Sequence, residues 1–226
     1  AGLTLLVIHA FRMPAFFVLA GFFAAMMRER RGGWGYSRDR SHRIGLVLII
    51  AWLTLYPLVR LAFDYATRRN AGAPSAEAMS AAATDVLVSP WSDPSLAHFW
   101  FLYYLLWLYA VSLLAIAISR MVPRGPREAV SRTCATLLVG ARQRLLVPLL
   151  VTATWLTLLP MRGPIIETPH TFSLNLRVLA VYAVFFGAGW AMYVYRGMID
   201  KLQAKAWRRL GLGAIAMLAY LVLTIM

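Results

Sequence analysis

A histidine and an arginine stand three residues apart inside an apolar run near the start of the chain, VIHAFRMPAFFVLAGFF, residues 7–23. At that spacing His9 and Arg12 share a helix face and could act together as an acid–base group and a fixed cation. An arginine toward the bilayer centre costs roughly 2.5–3.5 kcal/mol on insertion scales, so it normally faces a bundle interior, a partner or water. Pro14 follows at once. It leaves the carbonyl of Ala10 without its helical donor and biases Met13 out of the α region, which predicts a break or kink. Backbone groups freed at membrane depth are tolerated only where protein or a watery cavity surrounds them. The competing reading is that Arg12 snorkels to the outer headgroups while His9 lies in the interface.

Three further stretches carry candidate groups. In AHFWFLYYLLWLY, residues 97–109, His98 falls at the outer mouth of a span, on the side of His9 and Arg12. Alternatively, Trp100, Tyr103, Tyr104, Trp107 and Tyr109 form an interfacial aromatic belt that happens to contain one histidine. In SRDRSHRIG, residues 37–45, Arg38, Arg40 and Arg43 precede a span. Positive-inside anchoring is sufficient to account for these three; the sharper reading is a phosphate clamp, since guanidinium forks bind phosphate oxygens bidentately. His42 reads as solvated. In MRGPIIETPHTF, residues 161–172, Glu167 and His170 offer a carboxylate and an imidazole to the outer side, or are solvated loop residues.

The elements that must hold these groups are membrane helices. Of the 226 residues, 61% are hydrophobic, well above the roughly 45–50% apolar share of an ordinary soluble domain. The reading is an all-α, polytopic transmembrane bundle of about six spans: Leu3–Met27, Ile44–Phe63, Phe99–Val122, Leu145–Pro160, Leu174–Tyr195 and Trp207–Met226. Arginine and lysine crowd the first, third and fifth connections, and acidic residues balance the second, so odd loops face the cytoplasm. The net charge of +14 is therefore a topology signal, and nucleic acid is not an expected partner. Residues 69–94 read as an external loop with a short helix over 76–87. Cys134 is the only cysteine, which excludes an intrachain disulfide. Neither a Gly-rich phosphate loop nor metal-ligand spacing occurs, so no metal and no tightly bound cofactor is expected.

HAFRMPAFFVLAGFF resembles the H-x-F-R-M-P-x-F-F-x-x-S-G-[FY] signature of the acyltransferase family 3 membrane proteins, and especially their glucan biosynthesis protein C branch, associated with succinylation of periplasmic glucans. RSHRIG is similar to that family's paired arginines at the start of the next helix, AHFWFLYYLL to its S-H-L-W-F-L element, and FFGAGWAMY, residues 185–193, to its F-F-x-x-G-W segment. Order and spacing agree over nearly the whole chain. Ala20 stands where the family usually has serine and Val47 where it often has proline. The family's first helix, which bears the histidine usually regarded as catalytic, has no counterpart. Residues 1–226 are thus expected to form one partial acyltransferase domain, with an upstream helix and C-terminal helices missing.

The resemblance implies an enzyme that moves an acyl group, succinyl in that branch, from a cytosolic acyl-CoA to a hydroxyl of an external carbohydrate. His9 would transfer or orient a proton, Arg12 would orient the reactants or face the oxyanion, and His98 would be the third choice. Arg38, Arg40 and Arg43 would hold the donor's phosphates. The expected setting is the lipid bilayer of a bacterial inner membrane. Two rivals remain: a transporter, because intramembrane His and Arg beside a broken helix also describe substrate pathways, and a noncatalytic membrane subunit that uses the pair to bind another helix.

Overall fold

Helix forms wherever the sequence supplies an apolar run long enough to bury its backbone polar groups within itself. The computed structural model describes residues 2–89, 91, 95–96, 99–138, 146–160, 169, 171–203 and 206–225, the backbone alone for residues 2–10, 220–225 and several positions between. Helix α1 (Gly2–Arg40) passes through a π-helical turn (Ser41–Leu46) into α2 (Val47–Asn70). There follow α3 (Ser75–Val88), α4 (Trp100–Met121), α5 (Arg124–Leu138), α6 (Leu146–Leu158), α7 (Leu176–Val194), α8 (Gly197–Gln203) and α9 (Ala206–Ile225). No strand occurs among the described residues. Three stretches are long and apolar enough to cross a membrane: Phe11–Asn70, Trp100–Met121 and Leu176–Val194. The first covers two expected spans in one helical run, α6 and α9 coincide with two others, and α3 is the short helix expected in the external loop.

Two expectations about α1 are corrected. No break occurs at Pro14, where the backbone stays helical; the one interruption is Gly32, at φ 69° and ψ −179°. Proline's fixed φ is compatible with a helix once the freed carbonyl is tolerated, whereas Gly32 occupies a region open essentially to glycine alone. The arginine-rich segment 28–43 is likewise not a loop. It is helical on both sides of Gly32, so the returning span starts about ten residues before the first long apolar run.

The chain reverses at Gly32. Before it, Phe16 meets Phe101, Phe17 stacks on Tyr182, and Glu29 reaches Arg196 at the far end of α7. Beyond it, Tyr36 packs on Tyr109 midway along α4, and the Trp52 indole donates to the Ser95 carbonyl at 2.9 Å, ahead of α4. The first limb of α1, α4 and α7 therefore run parallel, and by the charge pattern of the connections their starts are called the outer end and their finishes the inner end. The second limb and α2 return between those ends.

The core lies within that parallel trio. Phe17, Ala20 and Ala24 of α1 pack with Trp100, Tyr104, Leu105, Leu108 and Tyr109 of α4 and with Val178, Tyr182 and Phe186 of α7. Close approach of α1 and α7 depends on two glycines. A Cβ at Gly21 would stand 1.9 Å from the Phe186 carbonyl oxygen, and one at Gly189 would stand 1.8 Å from that of Val18. Small residues at such crossings let backbones touch, the main source of helix association where lipid competes for apolar contact. Helix α6 packs on α7, and α3 on α2, where Arg68 pairs with Asp85 and Arg60 donates to the Ser89 carbonyl.

Candidate functional site

On the outer side, Arg12 is exposed. It is in register with Leu19 and Phe23, which also face outward from the trio. Backbone position 9 is in register instead with Phe16 and Ala20, the stripe turned toward α4. The side chain of His9, and all of His98, Glu167 and His170, lie outside the described residues. The aromatic-belt alternative for residues 100–109 is corrected in part, because Trp100, Tyr104 and Tyr109 are core residues and only Trp107 is exposed. The Tyr104 hydroxyl accepts from the Asn175 backbone N–H at 2.9 Å, and the Tyr103 hydroxyl donates to the Phe172 carbonyl at 2.9 Å. These bonds pin the outer ends of α4 and α7 together.

The inner half carries the denser chemistry. Gly32 turns the chain so that the second limb of α1 runs back beside α4, which carries Tyr36 and Arg40 to the level of Tyr109. The Arg40 guanidinium lies over the Tyr109 ring, 5.3 Å from its centroid. Tyr109 is nine residues beyond Trp100, or about 13.5 Å along α4 at the helical rise. Arg40 therefore sits near the middle of that helix rather than at its mouth. Beside it, the buried Tyr36 hydroxyl is 3.0 Å from Ser112 Oγ.

Asp39, the residue before Arg40, is the centre of an ion-pair cluster on this limb. Its side chain is 6% exposed, and its Oδ1 accepts from Arg31 Nη1 at 3.0 Å and forms an ion pair with Arg43 Nε at 3.0 Å. Asp39 Oδ2 and Arg40 Nε are buried and without a hydrogen-bond partner among the described residues. A desolvated carboxylate is costly unless cations compensate it, and here two guanidiniums do so. Arg31, Gly35, Arg38, Asp39, His42 and Arg43 line a cavity of about 410 Å³. The structure thus brings Arg38 and Arg43 together and turns Arg40 toward α4 instead.

Sequence reading singled out neither Arg31 nor Asp39. The signal was present in part: Asp39 and Arg43 are at i,i+4, the spacing of a helical ion pair, whereas Arg31 reaches Asp39 only because the chain reverses at Gly32. It carries weight only once residues 28–43 are known to be helical.

Three helical stretches long and apolar enough to cross a bilayer define an integral membrane protein. The model of acyltransferase family 3, described as an acyltransferase domain, matches residues 1–226, and the chain belongs to that family. It is a membrane acyltransferase. No curated protein and no solved structure matches the chain.

Proposed function

We propose that the enzyme moves an acyl group, succinyl if the glucan branch is the right one, from a cytosolic acyl-CoA to a hydroxyl of a periplasmic or cell-surface glucan or related carbohydrate, and that it works in a bacterial inner membrane. The observation that carries this reading is Arg40 over the Tyr109 ring, midway along α4, next in sequence to the Asp39–Arg43 ion pair. A donor that presents its thioester to an external acceptor must pass its anionic end partly into the bilayer, and cations placed at that depth offset the cost.

In this reading Arg38, Arg40 and Arg43 hold donor phosphates. The acceptor oxygen attacks the thioester carbonyl carbon and gives its proton to a base, and the C–S bond then breaks to release the coenzyme as its thiol. His9 transfers or orients that proton, Arg12 lies on the oxyanion side, and His98 is the next candidate. Glu167 and His170 are outer-site candidates of lower rank.

The test uses the full protein in proteoliposomes, with radiolabelled succinyl-CoA on the cytoplasmic side and glucan on the other. Labelled glucan should form, and Arg12→Lys should cut its yield sharply at equal expression. Carbohydrate flux without any acylated product would replace this reading with transport. Unchanged yield from Arg12→Lys would remove Arg12 from the reaction.

A further inference from the structure

Because the first limb of α1, α4 and α7 are parallel, their inner ends converge on one face, and each brings an arginine there: Arg28, Arg120 and Arg196. These three line a cleft of about 680 Å³ together with Glu29, Trp190 and Tyr193. Gly32 and Gly33 also line it, and no side chain crowds that wall. A cleft of this volume is in the range of small-molecule sites. It shares no lining residue with the cavity around Asp39.

We propose that this inner cleft is a binding site for a phosphate-bearing ligand, separate from the Arg38–Arg43 cavity. Three guanidiniums against one carboxylate leave the lining positive. Glu29 and Arg196 meet only loosely, at 3.5 Å, and both are largely exposed, so an incoming phosphate can take over the Arg196 fork. The Arg28 guanidinium is 5.8 Å from the Trp190 ring centroid, and that of Arg196 is 4.5 Å from the Tyr193 centroid. Stacking of this kind holds the forks in place with less freedom to lose on binding. Positive-inside anchoring explains an arginine at each helix end but not their meeting around one cleft with an aromatic wall. That wall also offers a face on which a planar base can stack. A nucleotide phosphate and an anionic lipid headgroup share the chemistry the arginines recognise.

The inference does not require acyl transfer; because the donor reading itself predicts nucleotide binding at Arg38, Arg40 and Arg43, the Arg120 and Arg196 variants are what separate the two sites. It is tested by equilibrium binding of radiolabelled adenosine 3′,5′-bisphosphate to the full protein in phosphatidylcholine nanodiscs. Saturable binding is expected, weakened about tenfold or more by Arg120→Gln and by Arg196→Gln, in line with loss of a charge-assisted contact. Arg120→Lys should fall between. Arg208→Gln, the same charge change away from the cleft, should bind like wild type, and unchanged melting temperatures identify variants that fold. In a second arm, part of the phosphatidylcholine is replaced by phosphatidylglycerol. Displacement of the nucleotide in wild type but not in Arg120→Gln assigns the cleft to a lipid headgroup and keeps the phosphate site. Absence of saturable nucleotide binding together with no effect of phosphatidylglycerol on the melting temperature overturns the proposal. Equal affinity in Arg120→Gln, Arg196→Gln and wild type also overturns it. Loss of acyl transfer in Arg12→Lys leaves this binding untouched, so the two readings fail separately.

Discussion

Asp39 and Arg43 stand one helical turn apart and meet through Asp39 Oδ1 and Arg43 Nε at 3.0 Å, the carboxylate 6% and the guanidinium 70% exposed. One partner is therefore anchored and the other is open to its cavity. Using Nε for the anchor leaves the two terminal nitrogens of Arg43 free to form a bidentate contact. Pairs in one network are not additive. A double-mutant cycle of Asp39→Ala and Arg43→Ala, followed by thermal unfolding in nanodiscs, should give a coupling energy of about 1–2 kcal/mol. Additive effects would mean that the pair does not act as a unit.

The crossing of α1 and α7 leaves no room for a methyl group at Gly21 or Gly189. Because the obstructing atoms are backbone, they cannot rotate away as a side chain would. Gly189→Ala should destabilise by about 1–3 kcal/mol, the usual cost of overpacking. Gly187→Ala is the control two residues away, where no atom lies within 4 Å. It should be neutral or gain up to about 1 kcal/mol from helix propensity. The same loss at both positions would mean that the close approach is not formed.

At Gly32 the backbone angle rather than space is limiting, since nothing lies within 4 Å of a built Cβ. Gly32→Ala should cost about 1–3 kcal/mol in melting experiments. Gly33→Ala, equally open and without a positive φ, should not. Indistinguishable melting temperatures for the two variants would show that the chain does not reverse at Gly32.

Tyr36 and Ser112 join the returning limb to α4 through their hydroxyls at 3.0 Å. Hydrogen bonds between membrane helices are worth about 0.6 kcal/mol on average. Combining Tyr36→Phe with Ser112→Ala should reveal a coupling of that order, read from the same unfolding assay. A coupling of zero would leave the limb held by the Tyr36–Tyr109 ring contact and not by this bond.

Much of the helical layout was legible before any coordinates. Residues 100–121, 176–194 and 206–225 match the expected spans to within one or two residues, because an apolar run of membrane-spanning length has few other fates. Residues 28–43 were not legible. Their arginines made them resemble a cytoplasmic loop, whereas beyond Gly32 they form a helix that packs Tyr36 and Arg40 against Tyr109. The site suffered from the same error: Asp39 is unremarkable as a loop carboxylate and becomes the centre of an ion-pair cluster only on a helix.

The sequence by itself determined that the chain is a helical membrane protein and where most of its spans lie. Apolar length and charge distribution are properties of consecutive residues, and lipid leaves the backbone little choice but helix. Only the tertiary structure decided that α1, α4 and α7 run parallel, that Gly21 and Gly189 touch opposing backbone, and which arginines share a cavity. Those outcomes depend on where the chain reverses at Gly32 and on the register between helices far apart in sequence, and neither is encoded in the spacing within any one span.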